Sequence, residues 1–264
     1  MRRRLKHRFL AALAFVLASA TMDAVPAAGR ALTVYTPDWP PFYIHENSSS
    51  DSKGMAWDIL RKCARTIDDA PIFDNYPIRR MFKLMEDGLL DVNIMSFKED
   101  RTKFVTYGKE VVFENNYVVW VGSHVTKKIR SLSDLNNLSI AQLVGLRPSD
   151  QFKLWFDARL NKQGPKETLV LNEEEQILKM LASGRVDATV GSEAEVRWRS
   201  RKLGLSSQIK NTNVLMQKQP YFIVVAKQSP LFKLRPSLLP KLDQCVRNLK
   251  REGTWAALRK EYDL

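Results

Sequence analysis

Three features of this 264-residue sequence predict an α/β fold of two lobes, each a mostly parallel sheet flanked by helices, joined by a two-strand hinge. The stretch MEDGLLDVNIMSFKEDR (Met85 to Arg101) is echoed by LASGRVDATVGS (Leu181 to Ser192), so Gly88, Asp91 and Ser96 recur as Gly184, Asp187 and Ser192, 96 residues later. Each copy follows an apolar run at helical spacing and reads as a helix closed by glycine, then a strand buried on both faces. Strand-like and helix-like segments alternate around both copies, as crossover units require. Finally, VVFENNYVVWV (Val111 to Val121) and NVLMQKQPYFIVVAKQSP near the end are long enough to pass from one lobe into the other.

The first 28 residues stand outside that plan. Arg2, Arg3, Arg4, Lys6 and Arg8 precede an apolar run from Phe9 to Ala20 and then small residues, the pattern of an export signal cleaved after Ala20 or, by preference, near Ala27 and Ala28. The run is shorter than the ~20 residues of a membrane-spanning helix. The sequence carries 42 Lys and Arg against 29 Asp and Glu; removing the signal's five bases and Asp23 leaves 37 against 28, an excess of +9. These bases are interspersed with acids and accompany no nucleic-acid motif, so they read mainly as solubility, and RWRSRK (Arg197 to Lys202) as a solvated helix face. His7, His45 and His124 lack metal-ligand spacing. Cys63 and Cys245 lie on apolar helical faces, where a disulfide and two buried thiols are both open.

In order, ALTVYT (Ala31 to Thr36) is a first strand, stopped by PDWPPFYI, whose prolines present Trp39, Phe42 and Tyr43 on a loop. SSSDSKG is a polar turn, MAWDILRKCARTI the first crossover helix, PIFDNYP a second strand and loop carrying Tyr76. IRRMFKLMEDG is the second helix and DVNIMS the third strand, with Arg101 in a short helical turn beyond it. A polar connection follows the first crossing, with Ser133-Asp134 as cap of a short helix. LSIAQLVG opens the second lobe; a helix capped by Ser149 or Asp150 follows Gly145, and then come strand ETLVLN, helix EEEQILKMLASG, strand RVDATVGS and helix EAEVRWRSRKLGL. After the second crossing, two helices finish the chain.

In a parallel sheet, ligands gather at the carboxyl ends of the strands. Trp39, Phe42, Tyr76, Ser96 and Arg101 are expected to converge there. Trp39 and Phe42 read as a ligand wall or as cover for the core. Arg101 reads as a fork addressing a carboxylate or as a surface group paired with Glu99 or Asp100.

TPDWPPF, GMAWDIL, the run from Met85 to Gly122, SLSDLNNLSIAQLVG, SGRVDATVGS and PYFIVVAKQSP, in this order and spacing, resemble the periplasmic solute-binding proteins that serve ABC importers of polar amino acids, extracellular family 3. The resemblance covers nearly all of the chain after the signal. It implies a type II periplasmic-binding fold: signal 1–28, first lobe 29–120, second lobe 121–215, and a return to the first lobe in 216–264. It implies a periplasmic monomer without cofactor or catalytic residues that captures a small carboxylate-bearing solute for a membrane permease. It places the carboxylate-binding arginine on Arg101, the neighbouring hydroxyl on Ser96 and the packing aromatic on Trp39. The second lobe departs from the pattern. Gly145-Leu146-Arg147 stands where small hydroxyl residues usually follow glycine, and Ser192 replaces the usual ammonium-binding aspartate, with Glu193 a possible substitute one residue on. If Arg147 lines the cleft, the two changes favour a more anionic ligand; if it points outward, it is expected to pair with Asp150. Two alternatives accompany the resemblance: a dehydratase of the cyclohexadienyl or arogenate type with Glu193 as general acid, and a sensor docking on a receptor.

Overall fold

The computed structural model describes residues 31–45, 52–67, 70–161 and 166–264; the expected export signal and most of the SSSD turn lie outside them. In the first lobe, β1 (Thr33–Thr36) and β2 (Ile72–Asn75) pair in parallel across helix α1 (Met55–Arg65). Helix α2 (Ile78–Glu86) leads to β3 (Val92–Ser96), and a 3-10 turn, Glu99–Lys103, follows. β4 (Val105–Gly122) crosses to the second lobe, where β5 (Ile140–Leu143), β6 (Thr168–Leu171) and β7 (Ala188–Ser192) alternate with α3 (Asp150–Asn161) and α4 (Glu174–Ala182). α5 (Glu193–Lys202) precedes β8 (Ile209–Ala226), which crosses back to α6 (Pro230–Leu234), α7 (Leu238–Arg251) and α8 (Thr254–Glu261).

The crossover-built strands β1 and β2, and β5 with β6 and β7, pair in parallel; every pairing that involves a hinge strand is antiparallel. The second sheet therefore runs through both lobes in the order β3-β8-β4-β7-β5-β6. β3 does not ladder against β1. They are linked by Asn93 Nδ2 to Tyr35 O at 2.9 Å and, just before β3, by Asp91 N–H to Thr33 O at 3.3 Å, reinforced by the Asp91 carboxylate, which accepts from Thr33 N (2.9 Å), Thr33 Oγ1 (2.7 Å) and Ser229 Oγ (2.6 Å).

The repeat in the sequence is a repeat in the structure. Asp187 accepts from Ser139 N (2.7 Å) and Ser139 Oγ (2.8 Å) as Asp91 does from Thr33, with His124 at 3.0 Å in the place of Ser229. Gly88 and Gly184 both close their helices at φ 71 and 74, the left-handed region that glycine enters without strain.

Separate apolar clusters fill the lobes. β1, α1, the inner faces of β3 and β8 and helix α7 enclose one around Trp57, Phe42 and Ile223, while α3, α4 and β7 enclose others around Phe152, Phe156, Ile177 and Leu178. A disulfide joins Cys63 of α1 to Cys245 of α7, 182 residues apart, so of the two possibilities left open for these cysteines the bridge is present. Ser131, not Ser133, caps the short Leu132–Leu135 turn, because Asp134 reaches back to the Ser131 backbone. Ser149 caps α3 by accepting from Phe152 N. The C-terminal segment forms three helices: Ser229 caps α6, and Pro236, which has no N–H to give, stops it from running into α7.

Candidate functional site

β3 ends at Ser96, and the turn beyond it brings Arg101 back over that end. Arg101 Nη1 donates to Ser96 O at 2.9 Å and to Ser96 Oγ at 3.1 Å, and its guanidinium lies 4.8 Å from the centre of the Phe82 ring. Tyr107 Oη also donates to Ser96 O, at 3.0 Å. The fork is thus held by one nitrogen against a buried serine, which fixes its plane. In the antiparallel register Ser96 faces Tyr221 of β8, whose hydroxyl is 3.0 Å from that of Tyr117 on β4. Burial pushes both phenols up, most of all Tyr221, and nearby Arg101 pulls both the other way.

Trp39 closes this wall. Its ring centre is 5.0 Å from Tyr221 and 4.4 Å from Phe42, and Phe42 stacks on Phe113 at 4.2 Å. Phe42 is a core residue, 1% exposed, whereas Trp39 is half-buried. The loop that bears them is anchored by α1, whose first N–H groups, Met55 and Ala56, donate to Pro41 O and Phe42 O. Arg101, Ser96, Trp39 and Phe42 are therefore brought together through Tyr221. Tyr76 stands apart, its ring 4.8 Å from Tyr35 and 4.4 Å from the Arg80 guanidinium.

The second-lobe residues have other partners. Ser192 is the cap of α5, accepting from Glu195 N (3.3 Å) and donating to Asn115 Oδ1 (3.1 Å). Glu193 accepts from Arg197 (2.7 Å), Asn211 (3.1 Å) and Asn116 (3.1 Å), which ties both its oxygens to α5 and the hinge strands. Arg147 donates to Leu146 O (3.0 Å), lies 3.5 Å from Asp157 Oδ1 and stacks 4.3 Å over Phe156; its carboxylate partner is about two turns further along α3 than Asp150.

What second-lobe chemistry faces the aromatic wall comes from acids the sequence did not single out and from Arg199, which the sequence placed on a solvated helix face and which is instead largely enclosed by carboxylates. Arg199 of α5 donates Nε to Glu195 (2.9 Å), Nη1 to Glu175 (3.4 Å) and Nη2 to Asp38 of the first lobe (3.1 Å), a bridge between lobes. Glu174, at the start of α4, is 7% exposed and adjoins this group. Burial first, then the neighbouring Glu195 charge, lifts its carboxyl to about 8, with Arg199 pulling it down. Burial likewise raises Glu195, opposed by Arg199. In the sequence these acids look like ordinary helix-start residues, and only the packing of α4, α5 and the Asp38 loop makes them a cluster.

A cavity of about 540 Å³ opens elsewhere, between α5, the hinge strands and the C-terminal helix; it takes in Phe42 and Glu193 but not Arg101, Ser96 or Trp39. Its walls carry mixed charges, so size alone does not make it the site. Among the described residues no His, Cys, Asp or Glu group is arranged to hold a metal, and no helix is long and apolar enough to cross a membrane.

The architecture is that of the two-lobed periplasmic-binding proteins. The ligand-binding core of GluR0, solved with L-glutamate, is similar with a TM-score of 0.71 at 18% identity, covering 89% of this chain and 99% of that one. A histidine kinase sensor domain with similarity to periplasmic binding proteins gives 0.70 at 17% identity, covering 88% and 96%. A variant of the arginine-binding protein ArgBP from T. maritima gives 0.68 at 19% identity, covering 88% and 94%. No protein-family model matches the sequence, and no curated protein is significantly similar to it.

Proposed function

We propose that the chain is an exported, non-catalytic receptor whose lobes close on a small carboxylate-bearing solute, an amino acid or a relative, for delivery to an ABC importer. The observation that carries this reading is Arg101 held on Ser96 beside the Trp39–Tyr221 wall, at the end of a strand and at the junction of two lobes. A guanidinium fixed in plane suits a carboxylate better than a mobile cation does. The similar structures named for arginine and glutamate support an amino acid as the class of solute. The engagement of both Glu193 oxygens by Asn116, Asn211 and Arg197 gives no support to Glu193 as a general acid.

The test is a thermal-shift screen of amino and organic acids followed by calorimetry. A true ligand at one hundred times its Kd adds about 2.7 kcal/mol of stability. Arg101→Ala is expected to weaken it by about 2 to 5 kcal/mol, some 30- to several thousand-fold, with unchanged circular dichroism. Equal affinity in the variant would refute the assignment. The resemblance to a histidine kinase sensor domain favours one second reading, a solute sensor; capture of a membrane receptor rather than a permease by the loaded protein would select it.

A further inference from the structure

Tyr117 and Tyr221 stand on β4 and β8, the two strands that join the lobes, and their hydroxyls share a hydrogen bond of 3.0 Å. Towards the first lobe, the buried Tyr221 lies opposite Ser96 in the register of β3 with β8, and Ser96 Oγ accepts from Arg101 Nη1 at 3.1 Å. Towards the second lobe, Asn115 shares a face of β4 with Tyr117, because alternate residues of a strand point the same way. Asn115 is 2% exposed, and its Oδ1 accepts from Ser192 Oγ at 3.1 Å. Ser192 Oγ in turn accepts from Glu195 N at 3.3 Å as the cap of α5. A row of polar side chains thus runs from Arg101 in the first lobe, through both hinge strands, to the first turn of α5 in the second.

One link in this row is missing. Asn115 Nδ2 is buried and has no hydrogen-bond partner, a costly condition for an amide donor. The Tyr117 hydroxyl neighbours the Asn115 side chain and keeps a lone pair free beside its bond to Tyr221. The gap falls where the strands can bend: the ladder of β4 with β8 slips between Tyr117 and Val118, and such irregularities kink a strand.

We infer that Tyr117, Tyr221 and Asn115 are positioning residues for lobe closure: the Asn115 amide donates to the Tyr117 hydroxyl only in the arrangement of the lobes that a solute on Arg101 favours, which carries occupancy of the first lobe to α5 without these residues touching the solute. This rests on the binding reading above and adds to it how occupancy of the site is transmitted. A solute shifts the lobes only by what is gained in one arrangement over the other, and a newly satisfied buried amide is such a gain.

Calorimetry of the full protein with L-arginine, L-glutamine and L-glutamate selects the tightest of the three as probe. Tyr117→Phe and Tyr221→Phe keep the rings and each remove one hydroxyl. With circular dichroism unchanged, each is expected to weaken the probe about two- to tenfold, as loss of one hydrogen bond does. Links in series fail together, so Tyr117→Phe/Tyr221→Phe and Tyr117→Phe/Ser192→Ala are expected to weaken it no more than the more damaging single change, within about twofold. At saturating probe, small-angle scattering is expected to show the wild type contracting and Tyr117→Phe contracting less. Unchanged affinity in both Phe variants, losses that multiply in the double variants as separate solute contacts would, or full contraction of Tyr117→Phe, each with Arg101→Ala still abolishing binding, would overturn this inference alone. Binding of none of the three amino acids, or binding indifferent to Arg101→Ala, would overturn the underlying reading and this inference with it.

Discussion

Asp91 and Glu174 are both buried carboxyls, and their surroundings give them opposite consequences. Asp91 accepts from Thr33 N, Thr33 Oγ1 and Ser229 Oγ, so its charge is met by donors on two other segments. Glu174 Oε1 has no hydrogen-bond donor, and burial lifts the carboxyl to about 8 with Arg199 opposing. A carboxyl whose folded pKa lies above its unfolded value favours the folded state most when protonated. Stability from this group is therefore full below the unfolded value near 4.5 and falls as pH rises towards about 8. The empty protein is expected to lose stability in urea between pH 5 and 8, and Glu174→Gln to flatten that slope. Asp187 acts in the other sense: burial opposes its ionisation, but bonds from Ser139 and His124 prevail and lower it. Its contribution is present above the unfolded carboxylate value and is lost as pH falls through the lower folded one. A wild-type slope that Glu174→Gln leaves unchanged would show that the proton lies elsewhere.

At the scale of elements, the twice-used unit of helix, glycine and buried strand was legible because each of its signals is local: apolar spacing, a glycine needing positive φ, a short apolar run. The two copies differ in what surrounds the glycine. A Cβ on Gly88 would lie 2.4 Å from Gln228 O, a backbone atom that cannot move aside, whereas one on Gly184 would meet the His124 ring at 3.6 Å, an ordinary contact. Gly184→Ala is expected to cost about 1 kcal/mol from the left-handed backbone alone, and Gly88→Ala at least about 1 to 3 kcal/mol more for the forced shift; denaturant titration of both variants checks the order. The Arg101 turn was legible for the same local reason. Tyr221 was not, because its place beside Ser96 depends on the register of β3 against β8, which no short stretch encodes. The first crossing was read six residues short at its start, since VTYGKE has little strand character; it extends because Val105, Thr106 and Tyr107 pair with Ala226, Val225 and Val224.

Across the whole molecule, two continuous strands carry the chain between lobes, paired from Val105–Ala226 to Gly122–Ile209, and the apolar clusters lie on either side of them. Besides that hinge, side-chain ion pairs bridge the junction, among them Arg201 with Asp263, and each such bridge can bias how the lobes sit. Asp38 and Arg199, 161 residues apart, supply one, with Arg199 largely enclosed and Asp38 half in solvent. A partly exposed ion pair contributes about 0.2 to 1 kcal/mol and weakens with salt. Asp38→Asn removes the bridge while leaving Arg199 paired with Glu195 and Glu175, so the folds of the lobes are expected to be untouched. What changes is the balance between closed and open arrangements, by up to about fivefold for a loss of that size. Small-angle scattering of the empty protein at low salt is expected to give a larger radius of gyration for Asp38→Asn than for wild type, and the two curves are expected to converge in molar salt. Identical curves at low salt would mean that the Asp38–Arg199 bridge does not set the angle between the lobes.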